Sequence, residues 1–316
     1  MIFLITGSSG FIGFYLSKKL LENKHSVIGI DSHTSDGSGK LKLSRLKILK
    51  KYNNFKFYKK NISQNLNNLK TKKKIDFVIH LAAQPGVRIS IDKPILCIEN
   101  NIKGTLEVFE FVKKNNIKNL IYASSSTVYG ERVNGFTENL ITKEPKSIYA
   151  ISKISNEMMS DYYFKEFGIN SIGVRFFSIY GPMGREDMSY YKFLNDIKRK
   201  KEIIVNGDGS IKRSFTHVDD AVECLSRLIK FYKNKKKYKE IFNIGNSKTI
   251  TIKKIIEIIK SNIGTSFKIK YKKKFGVDNM VTRCDTKKLF KVIKFKPKID
   301  IKEGLVNFIK WFNENK

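Results

Sequence analysis

Three side chains in the middle of the chain have the types and the spacing for proton transfer to an alcohol or a ketone. Tyr149 and Lys153 lie four residues apart in the segment YAISK, so a helix there places them one turn apart on the same face. A lysine ammonium beside a phenol stabilises the phenolate, which predicts a pKa for Tyr149 well below the usual value of about 10. Ser125, in the preceding segment YASSSTVYG, is suited to donate a hydrogen bond to the oxygen that is oxidised. Together these side chains predict catalysis of alcohol and ketone interconversion.

The N-terminal segment has the pattern of a dinucleotide-binding turn. A short apolar run at 2–5 predicts a strand buried on both faces, and the segment FYLSKKLLE predicts an amphipathic helix. Between them, the loop TGSSGFIG carries glycines at positions 7, 10 and 13. This order lets backbone N–H groups at the helix start meet a pyrophosphate, an approach that side chains at the glycine positions would block.

Asp31 follows a second predicted strand, residues 26–30. A carboxylate about 20 positions after a glycine loop holds the ribose hydroxyls of a dinucleotide and repels a 2′-phosphate. The sequence therefore predicts NAD rather than NADP. The alternative interpretation of Asp31 is a turn residue at the end of a strand.

Apolar strands alternate with amphipathic helices as far as residue 176. Strands are predicted at 2–5, 26–30, 55–59, 77–81, 120–123 and 171–176, and helices at 95–114 and 148–167. The alternation predicts an α/β fold, a doubly wound parallel sheet of the Rossmann-like type.

The regular alternation stops after residue 176. Helices are predicted at about 189–200, 219–232, 252–262, 286–292 and 302–314, with short strands at 203–205 and 267–271. We interpret residues 1–176 as an NAD-binding domain and residues 177–316 as a smaller C-terminal α/β substrate lobe. Part of this lobe, about 218–262, is expected to be threaded back into the first domain.

Composition argues against several other classes of protein. The formal net charge is +33, but the lysines are spread in short runs without a nucleic-acid-binding motif, so no specific nucleic-acid partner is expected. The cysteines, Cys97, Cys224 and Cys284, lack the spacing of a metal site or a disulfide framework, so no metal is expected. No apolar run has the length of a membrane helix, and MIFLITG is too short for a signal peptide, so we expect a cytoplasmic protein without membrane contact.

The helices predicted at 95–114 and 148–167 have unusually apolar faces. Most of these side chains are expected to pack in the core, and the remainder to form a helix-bundle interface in a homodimer. The apolar positions are Ile102, Leu106, Phe109, Ile151, Ile154, Met158 and Tyr162.

Taken together, these segments resemble those of the extended short-chain dehydrogenase/reductase family, from one end of the chain to the other. Within it the chain resembles the NAD-dependent nucleotide-sugar epimerases, and most of all the UDP-glucuronate 4-epimerases, through AAQPGVRIS and GREDM. The motifs that carry the resemblance are TGSSGFIG at 6–13, HLAAQPGVRIS at 80–90, NIKGT at 101–105, YASSSTVYG at 122–130, YAISK at 149–153, RFFSIYGP at 175–182, GREDM at 184–188, RSFTHVDD at 213–220 and FNIGN at 242–246.

The resemblance implies a set of contacts with NAD. Asn61 departs from the aspartate that the family usually has against the adenine, and Lys153 is expected to serve both the nicotinamide ribose and Tyr149. The implied cofactor-binding residues are Gly7, Gly10, Phe11, Ile12, Gly13, Asp31, Ser32, Asn61, Ile62, Leu81, Ala82, Ala83, Asn101, Tyr149 and Lys153.

The resemblance also implies a substrate site. Arg213 is expected to face the sugar diphosphate, and Arg88 and Arg185 to supply positive charge near a substrate carboxylate. The alternative interpretation is structural: each of these residues is an arginine that lies at the surface or braces a loop. Ser126, Thr127 and Ser178 complete the implied set.

Several positions in the substrate lobe depart from the family pattern and leave the NAD site untouched. Met183 and Glu186 stand where the family has Trp and Pro, and residues 275–278 stand where it has Pro-Gly-Asp. Arg283 is a candidate to compensate for the latter change. His80 and His217 are interpreted as structural, because neither has a metal-site or nucleophile-relay pattern.

The implied reaction is inversion at C4 of a UDP-sugar through transient oxidation to a 4-keto sugar. The favoured case is conversion of UDP-glucuronate to UDP-galacturonate. UDP-glucose or a UDP-N-acetylhexosamine stays open as the substrate of the same reaction. Dehydratase and decarboxylase relatives carry a carboxylate within the positions of Ser125 to Thr127, and this chain has none there. A non-catalytic NAD-binding regulator, or an RNA-binding protein on this fold, is the non-enzyme alternative.

Overall fold

The computed structural model describes residues 1–33, 39–64, 66–69, 71, 74–130, 135–140, 144–273 and 280–315. Its strands are β1 Ile2–Thr6, β2 Ser26–Asp31, β3 Phe55–Lys59, β4 Phe77–His80, β5 Asn119–Ser125, β6 Asn170–Phe176, β7 Ser178–Tyr180, β8 Ile203–Asn206, β9 Lys212–Arg213, β10 Phe215–His217, β11 Lys239–Ile244, β12 Ile250–Thr251, β13 Ile269–Lys272 and β14 Val281–Thr282. Its α-helices are α1 Phe11–Glu22, α2 Gly39–Leu49, α3 Ile89–Asp92, α4 Pro94–Ile98, α5 Gly104–Lys114, α6 Ile148–Phe167, α7 Ser189–Lys198, α8 Val218–Tyr232, α9 Ile252–Ile263, α10 Lys287–Ile293 and α11 Ile301–Asn315.

A seven-stranded parallel sheet forms the centre of the molecule, in the order β11-β6-β5-β4-β1-β2-β3. Successive residues of β1 pack into different cores, Phe3 and Ile5 with helices α1 and α8, and Leu4 with helix α5. A strand buried on both faces is therefore apolar without alternation, which is why residues 2–5 read as a continuous run. The predicted doubly wound, Rossmann-like sheet is confirmed.

A second hydrophobic core lies outside the sheet and is built by α7, α9 and α11. Short strands frame it, with β8 parallel to β13, β9 between β12 and β14, and β7 parallel to β10. The chain returns from this region to the main sheet, because β11 pairs with β6 and α8 packs beside α1.

Helix α6 has the predicted bounds because both of its ends carry capping residues. The Ser147 hydroxyl accepts a hydrogen bond from Ala150 N at 3.1 Å, and Gly168 ends the helix with φ of 62°. None of the described helices combines the length and the apolar character that a bilayer crossing requires.

The helix predicted near 95–114 is confirmed, and it contains a π-helical turn that the sequence did not predict. Residues Glu99–Lys103 form a π-helical turn between α4 and α5, and Asn101 within it is fully buried. Its side-chain amide donates to Gln84 O at 3.1 Å and to Ser152 Oγ at 3.0 Å, and it accepts from Gln84 N at 2.7 Å. These tertiary hydrogen bonds select the wider turn, which periodicity alone does not reveal.

The glycine loop after β1 is packed against backbone on two sides. A Cβ on Gly7, whose φ is +71°, would lie 2.7 Å from Ala82 N, and a Cβ on Gly13 would lie 2.1 Å from Gly7 O. Side chains at these two positions would thus disrupt the loop itself, before they reached any ligand.

We expect Gly13→Ala to destabilise the protein by about 1–3 kcal/mol or more, because the added methyl group overlaps a backbone carbonyl that has no room to move. Thermal unfolding measures the loss. The matched control is Gly39→Ala at the start of α2, where an added Cβ meets nothing within 4 Å. Equal melting temperatures for the two variants would contradict this account of the loop.

Candidate active site

Ser125, Tyr149 and Lys153 meet where strand β5 ends and helix α6 begins. The Lys153 ammonium donates a hydrogen bond to Ala123 O at 2.9 Å and lies 5.8 Å from the centre of the Tyr149 ring. The structure therefore brings together the residues that the sequence placed on one helix and on the segment before it.

Burial governs the protonation of this pair. Desolvation raises the pKa of Tyr149, while Arg185 and a hydrogen bond with Ser125 lower it by less. The prediction of a pKa well below 10, caused by Lys153, is wrong for the protein alone. Burial also lowers the pKa of Lys153 to about 8, since only 2% of this residue is exposed.

The Ser125 hydroxyl is oriented by the short 3₁₀ turn Ser126–Tyr129. It accepts hydrogen bonds from Thr127 N at 3.2 Å and from the Thr127 hydroxyl at 3.0 Å. A hydroxyl has two acceptor sites and one proton, so Ser125 keeps its own proton to donate. Ser126 and Thr127 lie half-buried on the same turn.

A buried ion pair behind β5 was not predicted. Glu157 accepts from Arg175 Nε at 2.9 Å and from a terminal nitrogen of Arg175 at 2.7 Å, and the Ser124 hydroxyl donates to it at 2.5 Å. Glu157 lies one helical turn after Lys153. The spacing of four residues could therefore have placed it on the helix face that carries Tyr149 and Lys153. Its partner Arg175, on β6, had no such signal.

A second polar network joins β1, β4 and the π-helical turn. His80 lies 2.7 Å from the Thr6 hydroxyl and 3.0 Å from the Thr105 hydroxyl, which itself donates to Asn101 O at 2.6 Å. Complete burial and the nearby charge of Lys153 lower the pKa of His80 to about 3, so the ring is neutral. This environment fits the structural role proposed for His80.

The start of α1 and the end of β2 offer complementary groups for a dinucleotide. Gly10 caps α1, and because glycine has no side chain, the capping residue itself leaves the first-turn N–H groups open to an anion. Asp31 is buried at the edge of this loop and accepts from Ser9 N at 3.2 Å and His33 N at 3.1 Å. An anion-binding helix start beside a buried carboxylate fits the phosphates and the ribose of NAD.

Other predicted cofactor residues differ in whether they line the glycine loop or are already engaged by contacts within the protein. Leu81 and Ala82 lie against Gly7 at the mouth of the loop, and the side chains of Asn61, Ile62 and Asn101 are engaged by the protein itself. Asn61 Oδ1 accepts from Ser63 N at 3.1 Å, and Ile62 is buried against Gly104. Ser32 and Ala83 are half-buried beside these elements.

Arg45, on α2, is a buried connector that sequence reasoning missed. Its guanidinium donates to Ser9 O at 2.9 Å, to Met183 O at 2.5 Å and to Gly184 O at 3.4 Å. Burial lowers its pKa to about 10. Arg45 thereby ties the glycine loop to the loop that carries Arg185.

Two of the predicted substrate residues can be related to the site, Ser178 through the strand beside Ser125 and Arg185 through its charge on Tyr149. Ser178 begins β7, two residues after Phe176, which pairs with Ser125 in the sheet. Arg185 forms an ion pair with Asp187, and its charge acts on Tyr149.

The other arginines named in the sequence analysis lie closer to the surface of the described structure than the Ser125–Tyr149–Lys153 site does. Arg88 is exposed before α3, and Arg213 lies on β9, where one terminal nitrogen donates to the preceding backbone carbonyl at 3.1 Å. Arg283 is exposed, and its carbonyl accepts from Phe136 N at 3.0 Å. Residues 275–278 lie outside the described residues.

A model of the NAD dependent epimerase/dehydratase family matches residues 3–245. The chain belongs to this family. A UDP-glucuronate 4-epimerase of Thermodesulfobacterium geofontis is 38% identical over 99% of this chain and 96% of its own length. Among solved structures, the UDP-glucuronic acid 4-epimerase of Bacillus cereus, in complex with UDP-glucuronic acid and NAD, is 30% identical, with a TM-score of 0.92 over 100% of both chains. A UDP-glucose 4-epimerase of Thermotoga maritima with UDP-glucose is 29% identical, with a TM-score of 0.89 over 99% of both chains.

Membership of this NAD-dependent family confirms the resemblance to extended short-chain dehydrogenases/reductases and the prediction of NAD as cofactor. The glycine loop and the Tyr149–Lys153 helix both lie within the matched residues. The part of the second core that lies after residue 245, in α9 and α11, is covered by the whole-chain likeness to the epimerase structures.

We expect Arg45→Met to lower the stability of this epimerase-family protein by roughly 1–3 kcal/mol, because it leaves buried carbonyls of two loops without a donor. Thermal or denaturant unfolding measures the change. Arg199→Met, which removes an exposed arginine after α7, is the control and is expected to leave stability unchanged. A melting temperature of Arg45→Met equal to that of the control would show that the connector contributes nothing.

Proposed function

We propose that the protein is an NAD-dependent 4-epimerase that interconverts UDP-glucuronate and UDP-galacturonate. The observation that carries the proposal is the meeting of Ser125, Tyr149 and Lys153 next to Arg185. This arrangement occurs in a chain that matches UDP-glucuronate 4-epimerases over its whole length. An acid–base group beside a fixed cation suits oxidation of a sugar that carries a carboxylate.

NAD is held, in this proposal, by the N–H groups at the start of α1 and by Asp31. When bound, it supplies a hydride acceptor and donor for sugar C4. Leu81 and Ala82 flank the glycine loop, and Lys153 is available to the nicotinamide ribose. Asn101 acts indirectly, because its buried side chain fixes the segment after β4.

Tyr149 removes the proton of the C4 hydroxyl and later returns it. Ser125 donates its hydrogen bond to the same oxygen, which orients the hydroxyl and stabilises charge on it. Lys153, with a pKa of about 8, holds a proton close to the phenol and releases it readily near neutral pH. Arg185 supports the phenolate by its charge.

The acidic sugar requires one more function of the site. A 4-keto glucuronate is a β-keto acid, which loses carbon dioxide easily unless its carboxylate is held in an unreactive orientation. Arg185 and the hydroxyls of Ser126 and Thr127 are the groups proposed for this task. Arg213 and Ser178 are proposed for the diphosphate and a sugar or phosphate oxygen, and Arg88 for additional positive charge.

The site favours epimerisation over dehydration or decarboxylation. Among the described residues, Glu157 accepts a hydrogen bond from Ser124, next to Ser125, and it is committed to Ser124 and Arg175. A carboxylate held in this way is a poor acid or base for sugar C5 and C6.

The runner-up is the same reaction on a neutral UDP-sugar, and the likeness to the Thermotoga maritima UDP-glucose 4-epimerase keeps it open. Incubation of the purified protein with UDP-glucuronate, UDP-glucose and UDP-N-acetylglucosamine, followed by NMR detection of C4 epimers, decides between them. Conversion of UDP-glucose without conversion of UDP-glucuronate would overturn the proposal that the substrate is an acidic sugar.

Tyr149→Phe is expected to lower kcat by about 10²–10⁴-fold, because it removes the acid–base group and leaves the ring in place. Epimer formation by NMR and bound NAD by absorbance are the measurements. Tyr52→Phe removes a hydroxyl near Glu22, on α1, and serves as control. Full activity of Tyr149→Phe would exclude this mechanism, whereas a regulator without catalysis would show no epimer in either form.

We further propose that the protein is a homodimer through α4, α5 and α6. Large apolar side chains are exposed on these helices, whereas Phe109 is buried in the core and takes no part. The large apolar residues exposed on these helices are Ile95, Leu96, Ile98, Leu106, Ile151, Met158, Tyr162 and Phe167. The division into 1–176 and 177–316, the cytoplasmic location and the lack of a nucleic-acid partner stay predictions.

The double variant Ile95→Lys, Met158→Lys is expected to be monomeric, because two charges per protomer would be buried in the interface. Light scattering after size-exclusion chromatography measures the molar mass. Leu43→Lys, on the exposed surface of α2, is the control and should keep the mass of the unmodified protein. A dimeric double variant would place the interface elsewhere.

A further inference from the structure

The loop 181–188 is fixed against the cofactor side of the molecule. The Tyr15 hydroxyl donates to Pro182 O at 3.0 Å, and Arg45 bonds the next two carbonyls of the loop. A Cβ on Gly184 would lie 3.7 Å from the ring of Phe11, at the start of α1. The side chains that follow Gly184 are therefore presented from an anchored backbone.

Arg185 and Asp187 form a two-point ion pair on this loop. Arg185 Nε donates to one Asp187 oxygen at 2.9 Å, and a terminal nitrogen donates to the other at 2.5 Å. A guanidinium can form this pair of parallel N–H···O bonds with any carboxylate, including that of a substrate. The carboxylate of Asp187 thus occupies the donors that a uronate carboxylate would use.

The pair remains accessible. The side chain of Arg185 is 33% exposed and that of Asp187 is 39% exposed. Solvent and a second carboxylate can therefore reach the pair, and the cost of exchange is small because the incoming carboxylate forms the same two-point contact that Asp187 gives up. A neutral hydroxymethyl group cannot replace Asp187, because it offers no charge to exchange.

The pair also belongs electrostatically to the reaction site. The charge of Arg185 lowers the pKa of Tyr149, and the charge of Asp187 raises it. Both side chains therefore act on the group proposed to move the C4 proton.

We propose that Asp187 is a specificity-determining residue, an internal carboxylate that competes with the substrate for Arg185; this rests on the proposed function. An acidic sugar displaces Asp187 and gains the two-point contact, whereas a neutral sugar leaves the ion pair closed. When the oxidised sugar turns to present its other face, its carboxylate leaves Arg185 and is held by the hydroxyls of Ser126 and Thr127, while Asp187 takes its place on Arg185. The guanidinium is thus partnered throughout, and release of the sugar carboxylate stays easy.

Asp187→Asn tests this competition in the NAD-loaded enzyme. We expect KM for UDP-glucuronate to fall about fivefold, since the competing ion pair is worth roughly that factor. We expect kcat to fall as well, because the sugar carboxylate now leaves Arg185 without a replacement. The inhibition constant of UDP-glucose is expected to stay unchanged.

Three further variants separate competition from simple bracing of the loop. Asp187→Glu restores the carboxylate and is expected to return KM towards the original value. Glu186→Gln removes a neighbouring negative charge and is expected to leave KM unchanged. In an Arg185→Gln background, Asp187→Asn is expected to have no further effect on KM.

The outcomes distinguish failure of the inference from failure of the proposed function. An enzyme that converts UDP-glucuronate but shows the same or a higher KM in Asp187→Asn overturns the role of Asp187 alone. An equal gain in affinity for UDP-glucose does the same, because it indicates a general charge effect. If the unmodified protein converts no UDP-glucuronate in the NMR panel, both the proposed function and this inference fall.

Discussion

The ammonium group of Lys153 is buried where α6 meets the end of β5, and the geometry of the site depends on satisfying it. A buried cation is tolerated only with close polar partners, and the Ala123 carbonyl supplies one at 2.9 Å. One turn further along α6, Glu157 binds Ser124 and Arg175. These contacts fix the rotation and the height of α6 on the sheet, and so they set where Tyr149 stands relative to Ser125.

The same principle of buried polar connectors joins the cofactor side to the substrate side. Arg45 bonds backbone carbonyls of the glycine loop and of the loop before Arg185, and His80 and Asn101 join β1, β4 and α6 through hydroxyl and amide groups. A distortion on one side is therefore transmitted through short, directional bonds rather than through compliant apolar packing. Such bonds suit a reaction in which hydride leaves a sugar carbon and a proton leaves the oxygen on that carbon, because both transfers need fixed distances.

The sequence predicted the elements whose signals are local. The bounds of α6 follow from Ser147 and Gly168, and the buried strands follow from apolar runs. The π-helical turn Glu99–Lys103 within the predicted helix was missed because it depends on bonds from Asn101 to distant residues. The very short strands, such as β9 and β14, were missed because two residues carry no period.

The residues of the candidate site divide in the same way, into those with a local sequence signal and those whose partners lie far along the chain. Motif spacing was enough to place Ser125, Tyr149 and Lys153 together. Arg45 was invisible in a lysine-rich segment, since its partners lie far along the chain. The direction of the Tyr149 pKa was wrong because desolvation, which needs the packed structure, outweighs a neighbouring charge.

Strand β11 has a consequence for how the chain acquires its structure. All seven residues of β6 are buried, and β11, about 70 residues later, covers the β6 edge that β5 leaves open. Until the ribosome has released β11, the emerging N-terminal part exposes one edge of β6 with its unpaired backbone groups, which favours association with other nascent chains. Truncation before β11 would make that exposure permanent, because no other strand pairs with this edge of β6 in the described sheet.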